Sequence, residues 1–113
     1  MHELSICQSL IGIIVDESAR QAFSAVKRVR VEVGCLAAIE PRALMFAFDV
    51  AAAGTVCEGA ILDIVSLPGT AWCFDCGESQ EITERFAACP GCGGARLQVS
   101  GGEDLRIKDL EVL

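Results

Sequence analysis

Cys73-Phe-Asp-Cys76 and Cys89-Pro-Gly-Cys92 place four thiols in two Cys-x-x-Cys pairs, with twelve residues between the inner cysteines. Two such pairs supply the four sulfurs of a closed tetrahedral metal site, and zinc is its usual ion. In each pair the first cysteine ends an extended segment. The turn that follows aims both sulfurs, with nearby backbone N–H groups, at one point. Gly77 and Gly93 come directly after the second cysteines, where a positive φ completes such a turn. Four thiolates outweigh the charge of one divalent ion, so N–H donors around the sulfurs help to hold them. Between the pairs, residues 78–88 have few apolar side chains beyond Ile82 and Phe86. That segment cannot build a core alone, and a metal would supply much of its folding free energy. Four thiolates also suit iron. Disulfides belong to exported chains, and a thioredoxin-type site needs one Cys-x-x-Cys in a βαβ setting. A closed site has no open position for a substrate, so its role reads as architectural.

Met1-His2-Glu3 is the second stretch with chemistry in it. His2 is the sole histidine. Met1 is expected to stay, because removal of an initiator methionine requires a small second side chain. The free amine, the His2 amide nitrogen and the His2 imidazole Nδ1 then close two fused chelate rings on one ion. A nitrogen-rich planar set of this kind suits Ni(II) or Cu(II). Glu3 completes the set through its amide or its carboxylate, and Glu40 is a further carboxylate candidate if its loop lies near the chain start. The remaining cysteines look bland. Cys7 falls on the apolar face of a helix, as a core thiol does. Cys35 and Cys57 fall in loops, where a thiol without a function is the default.

The chain has 113 residues, 52% of them hydrophobic and only 5% aromatic, so Val, Ile, Leu and Ala must build the core. The formal charge is −7 with the cysteines counted as thiols, and a zinc-thiolate site makes it more negative. That argues against nucleic acid and anionic membrane as partners, and permits a basic protein surface or a cation. No basic n-region opens the sequence and no apolar run approaches a membrane span. A cytoplasmic protein with reduced thiols is expected. No Ser-His-Asp set, Gly-rich phosphate loop or paired-carboxylate cleft is apparent, and the residues point to no enzyme.

These groups need a scaffold. Leu4 to about Phe23 repeats apolar residues at helical spacing, with Glu3 suited to the positive end of the dipole. Val29, Val31 and Val33 alternate with Arg28, Arg30 and Glu32, which reads as a strand with one solvated face. Pro41 opens a second helix whose apolar stripe is Leu44, Phe48 and Ala51 or Ala52, with Gly54 as a stop. Ala60–Leu67 alternates as a second strand. Arg96–Val99 is a short strand, and Leu105–Val112 is a terminal one whose alternation slips phase at Asp109. The terminal strand most simply pairs back with the first two. The expected fold is α+β: two helices on a small, mainly antiparallel three-stranded sheet, with an inserted four-cysteine, zinc-ribbon-like lobe. Residues 1–68 and 100–113 would form the discontinuous helix–sheet domain, and 69–99 the lobe.

Several stretches together resemble the HypA/HybF family of hydrogenase nickel-incorporation proteins. They are Met1-His2-Glu3-Leu4-Ser5, Val31-Glu-Val-Gly34, Ile39-Glu-Pro41, Arg42-Ala43-Leu44 and Ala60-Ile-Leu-Asp-Ile64, then both cysteine pairs, Gly102-Glu-Asp-Leu-Arg-Ile107 and Leu110-Glu-Val112. The resemblance implies a metallochaperone that delivers Ni(II) to the large subunit of a NiFe-hydrogenase, with a HypB-type GTPase as partner. In some bacteria the same family also serves urease. It implies a nickel site at Met1, His2 and Glu3, with Glu40 at the position of an acidic residue implicated in some members. It implies structural zinc on Cys73, Cys76, Cys89 and Cys92. A zinc-ribbon adaptor for protein or nucleic acid is the alternative, but residues 72–95 carry Asp75, Glu78, Glu81 and Glu84 against Arg85 alone. A rubredoxin-like electron carrier is a third reading, which the colour of the protein would decide.

Overall fold

In the computed structural model, which describes the backbone of residues 2–113 and the side chains of residues 3–113, α1 spans His2–Gln21. Cys7, Leu10, Ile11, Ile14 and Ser18 form its buried face. The helix ends at Ala22, which has φ 57°, and the Phe23 N–H donates to the Ser18 carbonyl at 3.2 Å. This six-to-one bond is the Schellman ending, made here with alanine at the left-handed position that usually takes glycine. The sequence carries no glycine to mark that stop, so the pattern had extended the helix to Phe23.

The strand β1 covers Val26–Gly34 and buries Val29, Val31 and Val33. α2 is Pro41–Ala52, burying Leu44, Ala47, Phe48 and Ala52. It stops two residues before Gly54. β2 is Ile61–Leu67 and β6 is Leu105–Val112, with three shorter strands between them: β3 (Gly69–Cys73), β4 (Glu78–Ile82) and β5 (Leu97–Gly101). β1 lies between β2 and β6 in one sheet. It runs parallel to β2, since Val26 N–H donates to Val56 O near one end and Cys35 N–H to Leu67 O beyond the other. A helical crossover such as α2 is what a parallel pair requires. β6 runs antiparallel to β1, with Leu113 N–H on Ala25 O and Gly34 N–H on Asp104 O. Ion pairs line the polar face, among them Arg28–Asp63 at 2.7 Å, Arg30–Asp109 at 2.9 Å and Arg106–Glu32 at 2.9 Å. Exposed pairs add little stability each, but opposite charges across strands favour this register.

The cysteine segment holds a second three-stranded sheet, ordered β4-β3-β5 and antiparallel throughout. Sequence patterning gave only the strand near 96–99, because β3 and β4 bury little more than Ala71, Cys73 and Ile82. Leu36 packs with Ala71 and Ile82 in a small cluster, flanked by Leu97 and Val99. Phe86, the other large apolar side chain of the intervening segment, is 99% exposed. Two compact units emerge from the contacts: Met1–Val31 with Ile39–Ile64 and Ile107–Leu113, and Glu32–Ala38 with Val65–Arg106. α1 packs on α2 in the first unit. No described helix is long and apolar enough to cross a membrane.

Gly34 belongs to the second unit, where the Leu36 N–H donates to the Gly102 carbonyl at 2.8 Å. A Cβ on Gly34 would collide with the Gly102 backbone. Backbone cannot step aside as a flexible side chain does. Gly34→Ala should therefore lower unfolding free energy by about 3 kcal/mol or more, read from urea denaturation. A change within about 0.5 kcal/mol, the range of ordinary surface substitutions, would contradict this.

Candidate functional site

Cys73 ends β3 and is buried, as is Cys89, while Cys76 and Cys92 are exposed. Each pair folds into the same turn. The Gly77 N–H donates to the Cys73 carbonyl at 2.9 Å, and the Gly93 N–H to the Cys89 carbonyl at 2.8 Å. Gly77 and Gly93 have φ of 70° and 74°, the left-handed values expected of them. A further clamp closes the second turn, where Cys89 N–H donates to Gly94 O at 2.8 Å. Asp75 and Arg96 form an ion pair of 2.8 Å across the two turns. Sequence reasoning missed that pair, although one opposite charge beside each Cys-x-x-Cys was the signal for it. A Cβ on Gly94 would strike the Asp75 carboxylate, so glycine there leaves room for the brace.

The four sulfurs all lie within 4.8 Å of one another. Cys73 Sγ and Cys92 Sγ are 3.7 Å apart, and Cys76 Sγ and Cys89 Sγ 3.8 Å. A tetrahedron with metal–sulfur bonds of about 2.3 Å has edges of about 3.8 Å. The cluster therefore has the dimensions of a closed four-thiolate site.

The protonation chemistry of these thiols points the same way. Desolvation raises Cys89, but N–H groups of Cys92 and Gly91 and the thiols of Cys73 and Cys92 outweigh it, leaving Cys89 lowered to about 7. Cys76 is pushed up to about 12, by desolvation first and then by its sulfur neighbours. The Gly94 N–H, 3.4 Å from the Cys92 sulfur, favours its thiolate, yet desolvation with Cys73 and Cys89 leaves Cys92 raised. The thiolate is thus favoured at Cys89 and resisted at Cys76 and Cys92. A divalent cation reverses that resistance, since a coordinating thiol is deprotonated outright. The donor set fits zinc.

At the other candidate site, Met1 and the His2 side chain lie outside the described residues. Glu3 sits in the first turn of α1. Its carboxyl is held below the usual range, chiefly by its own backbone N–H and, against some desolvation, by that of Glu40. Glu40 is the N-cap of α2, and its carboxylate accepts from Ala43 N–H at 2.6 Å. The two acidic residues named from the sequence are thus neighbours. Glu3 and Leu4 border a cleft with Ala43, Phe46, Ala47 and Val50, so the starts of both helices meet here. Helix N-termini carry partial positive charge, and carboxylates at this point offset it for an incoming cation.

Cys7 is fully buried and pushed up to about 11, by burial first and then by the charge of Glu3. It is a core thiol, as its place on the helix face implied. Cys57 lies in a turn, as expected, but is also fully buried, and that burial raises its thiol. Its turn folds inward because Ala60 N–H donates to the Cys57 carbonyl at 2.9 Å and Thr55 Oγ1 accepts from Cys57 N–H at 3.1 Å. Cys35 is exposed.

A family model described as hydrogenase/urease nickel incorporation, metallochaperone, hypA matches residues 1–112. The chain belongs to the HypA family. It is 52% identical over 112 residues to the hydrogenase maturation factor HypA of Cereibacter sphaeroides, covering 99% of each chain. It is 48% identical over 112 residues to hydrogenase maturation factor HypA 2 of Bradyrhizobium diazoefficiens, again over 99% of each. Among solved structures it is similar to the nickel metallochaperone HypA from Helicobacter pylori, with a TM-score of 0.72, 26% identity and coverage of 98% and 97%. A second HypA solution structure gives a TM-score of 0.74 at 28% identity, over 100% and 97% of the chains. The HypA match takes in both the N-terminal triplet and the four cysteines.

Proposed function

We propose that this HypA-family chain binds Ni(II) at its N-terminus and delivers it to the large subunit of a NiFe-hydrogenase during maturation. The match over residues 1–112 carries the reading. Met1 supplies the amine, His2 the imidazole and Glu3 an amide or carboxylate. Two helix starts with their carboxylates supply an electrostatic setting for a dication. Cys73, Cys76, Cys89 and Cys92 hold structural zinc. This closed set fixes the second unit and takes no part in handover. A HypB-type GTPase is the proposed partner, and the family description extends the same cargo chemistry to urease.

A nucleic-acid role draws no support from the cysteine segment. Arg85 is paired with Glu103 at 2.7 Å and Arg96 with Asp75 at 2.8 Å. Cations spent on internal carboxylates are poorly placed to neutralise phosphates.

Metal analysis of untagged protein tests the proposal. One zinc per chain should remain after purification, the protein should be colourless, and added Ni(II) should bind without displacing zinc. Iron with visible charge-transfer bands, or nickel taken up only in exchange for zinc, would contradict it. Encounter with the partner GTPase should slow as salt rises, because a chain of formal charge −7 meets a basic surface. Association measured across a salt series checks this, and a salt-independent rate would count against charge complementarity.

A further inference from the structure

We infer that Gln80 is a positioning residue of the four-cysteine site, whose side-chain amide donates to the Cys76 sulfur and holds that exposed ligand in place for the metal. The inference rests on the proposed structural zinc.

Three observations carry it. The first is the place of Gln80 on β4. Ser79 and Glu81 are exposed, whereas Gln80 is half-buried and Ile82 buried, so alternate residues of this strand turn inward. Gln80 stands opposite the buried Ala71 of β3. An inward position between such neighbours suits an apolar side chain, and an amide there needs a partner. The second observation is that partner. Gln80 Nε2 lies 3.9 Å from Cys76 Sγ, within hydrogen-bond reach of a sulfur. A thiolate accepts and does not donate, so the amide nitrogen is the end that it selects. The other exposed ligand, Cys92, takes the Gly94 N–H at 3.4 Å. Both exposed sulfurs thus have a donor. The third observation is the space above the second turn. A Cβ on Gly91 would lie 2.7 Å from Gln80 Nε2. Gly91 lacks the left-handed φ of Gly77 and Gly93, so its backbone does not require glycine. The amide packed against it does.

Gln80 therefore touches both cysteine turns from a strand that contributes no ligand. Four thiolates around one dication carry excess negative charge, and donation from an N–H relieves it at the sulfur. Loss of the amide leaves Cys76 to solvent and should loosen the metal.

Competition for zinc between the full-length protein and a chromophoric chelator measures this. Gln80→Leu keeps the bulk of the inward side chain and removes the donor. It should weaken zinc binding by about ten- to a hundredfold, the range for hydrogen-bond partners of metal ligands. Gln80→Glu keeps the shape, sets a carboxylate against the thiolate, and should weaken binding at least as much. In Co(II)-loaded protein both changes should move the sulfur-to-metal charge-transfer band to longer wavelength, because a thiolate without its hydrogen bond gives up charge more easily. A packing role alone would leave that band in place. Gly91→Ala should weaken zinc binding by pushing the flexible amide aside. In a Gln80→Ala background, where the space is free, it should change affinity by no more than about twofold. Far-UV circular dichroism of the metal-loaded variants confirms that each is folded. Zinc affinities of Gln80→Leu and Gln80→Glu within about twofold of the parent would overturn the inference. So would an unmoved cobalt band, or a Gly91→Ala effect of equal size with and without Gln80. Cys76→Ser is run alongside. If it binds zinc as its parent does, the zinc reading itself is wrong; if it loses zinc while the Gln80 results fail, only the positioning role is.

Discussion

Replacing His2 with alanine should abolish specific Ni(II) binding while leaving the zinc and the fold in place. Supporting residues around a metal typically contribute ten- to a hundredfold in affinity. Loss of a direct ligand that also belongs to two chelate rings should therefore cost at least about a hundredfold. His2 opens α1, and among the described residues of that helix burial begins at Cys7. Acidity gives the same signature by another route. Protons compete with nickel at the amine and the imidazole, whose ordinary pKa values are about 7.7–8.0 and 6.5. Nickel affinity should be greatest above neutrality and fall as pH drops through these values, by about tenfold per unit or more. Equilibrium dialysis at a series of pH values would show this. A flat profile between pH 8 and 6, or a His2→Ala variant that binds as its parent does, would contradict the assignment.

The second large effect belongs to the cysteines. Cys89→Ser should release zinc and unravel the segment around β3, β4 and β5, while the α1–α2 unit keeps its core. The apolar cluster under the segment is Ala71 and Ile82 with the distant Leu36, flanked by the partly buried Leu97 and Val99. Such a core is far too small to order a segment running from residue 69 to 101, whereas a structural zinc site contributes about 10–16 kcal/mol in apparent binding free energy. Serine at position 89 removes one of the four clustered sulfurs. The other unit rests on Ile14, Val29, Val31, Leu44 and Phe48, all fully buried and all within that unit. Amide hydrogen exchange should show protection lost across 69–101 and kept across 7–18 and 44–52. Full zinc occupancy in Cys89→Ser, or loss of protection in the helices as well, would contradict this division.

Legibility in the sequence followed how strongly each element is amphipathic. α1, β1 and α2 declared themselves because Cys7, Leu10 and Ile14, then Val29, Val31 and Val33, then Leu44 and Phe48 recur at the period of their element. The cysteine spacing, with glycine after each pair, specified the sulfur cluster and its left-handed turns. What escaped had no local pattern. β3 and β4 are short and mostly polar, and they are strands because they pair with each other and with β5 over a cluster that includes the distant Leu36. The stop of α1 at Ala22 rests on a backbone bond that any residue can make. Burial of Cys57 depends on how a four-residue turn folds, which composition does not encode. At the N-terminal site the names Glu3 and Glu40 were legible. The cap was not, since a glutamate followed by proline gives no sign that its side chain caps a helix.

The central claim is that nickel is held by the first residues through the free amine, and one change tests it with every native side chain kept. Adding one or two residues ahead of Met1 moves the amine out of the fused rings and leaves His2, Glu3, Glu40 and all seven cysteines unchanged. Titration calorimetry of Ni(II) into this extended protein, beside the native chain at the same pH and with zinc bound, should show a loss of nickel affinity of at least about a hundredfold. Equal affinities for the extended and native proteins would contradict the claim and place the nickel site elsewhere.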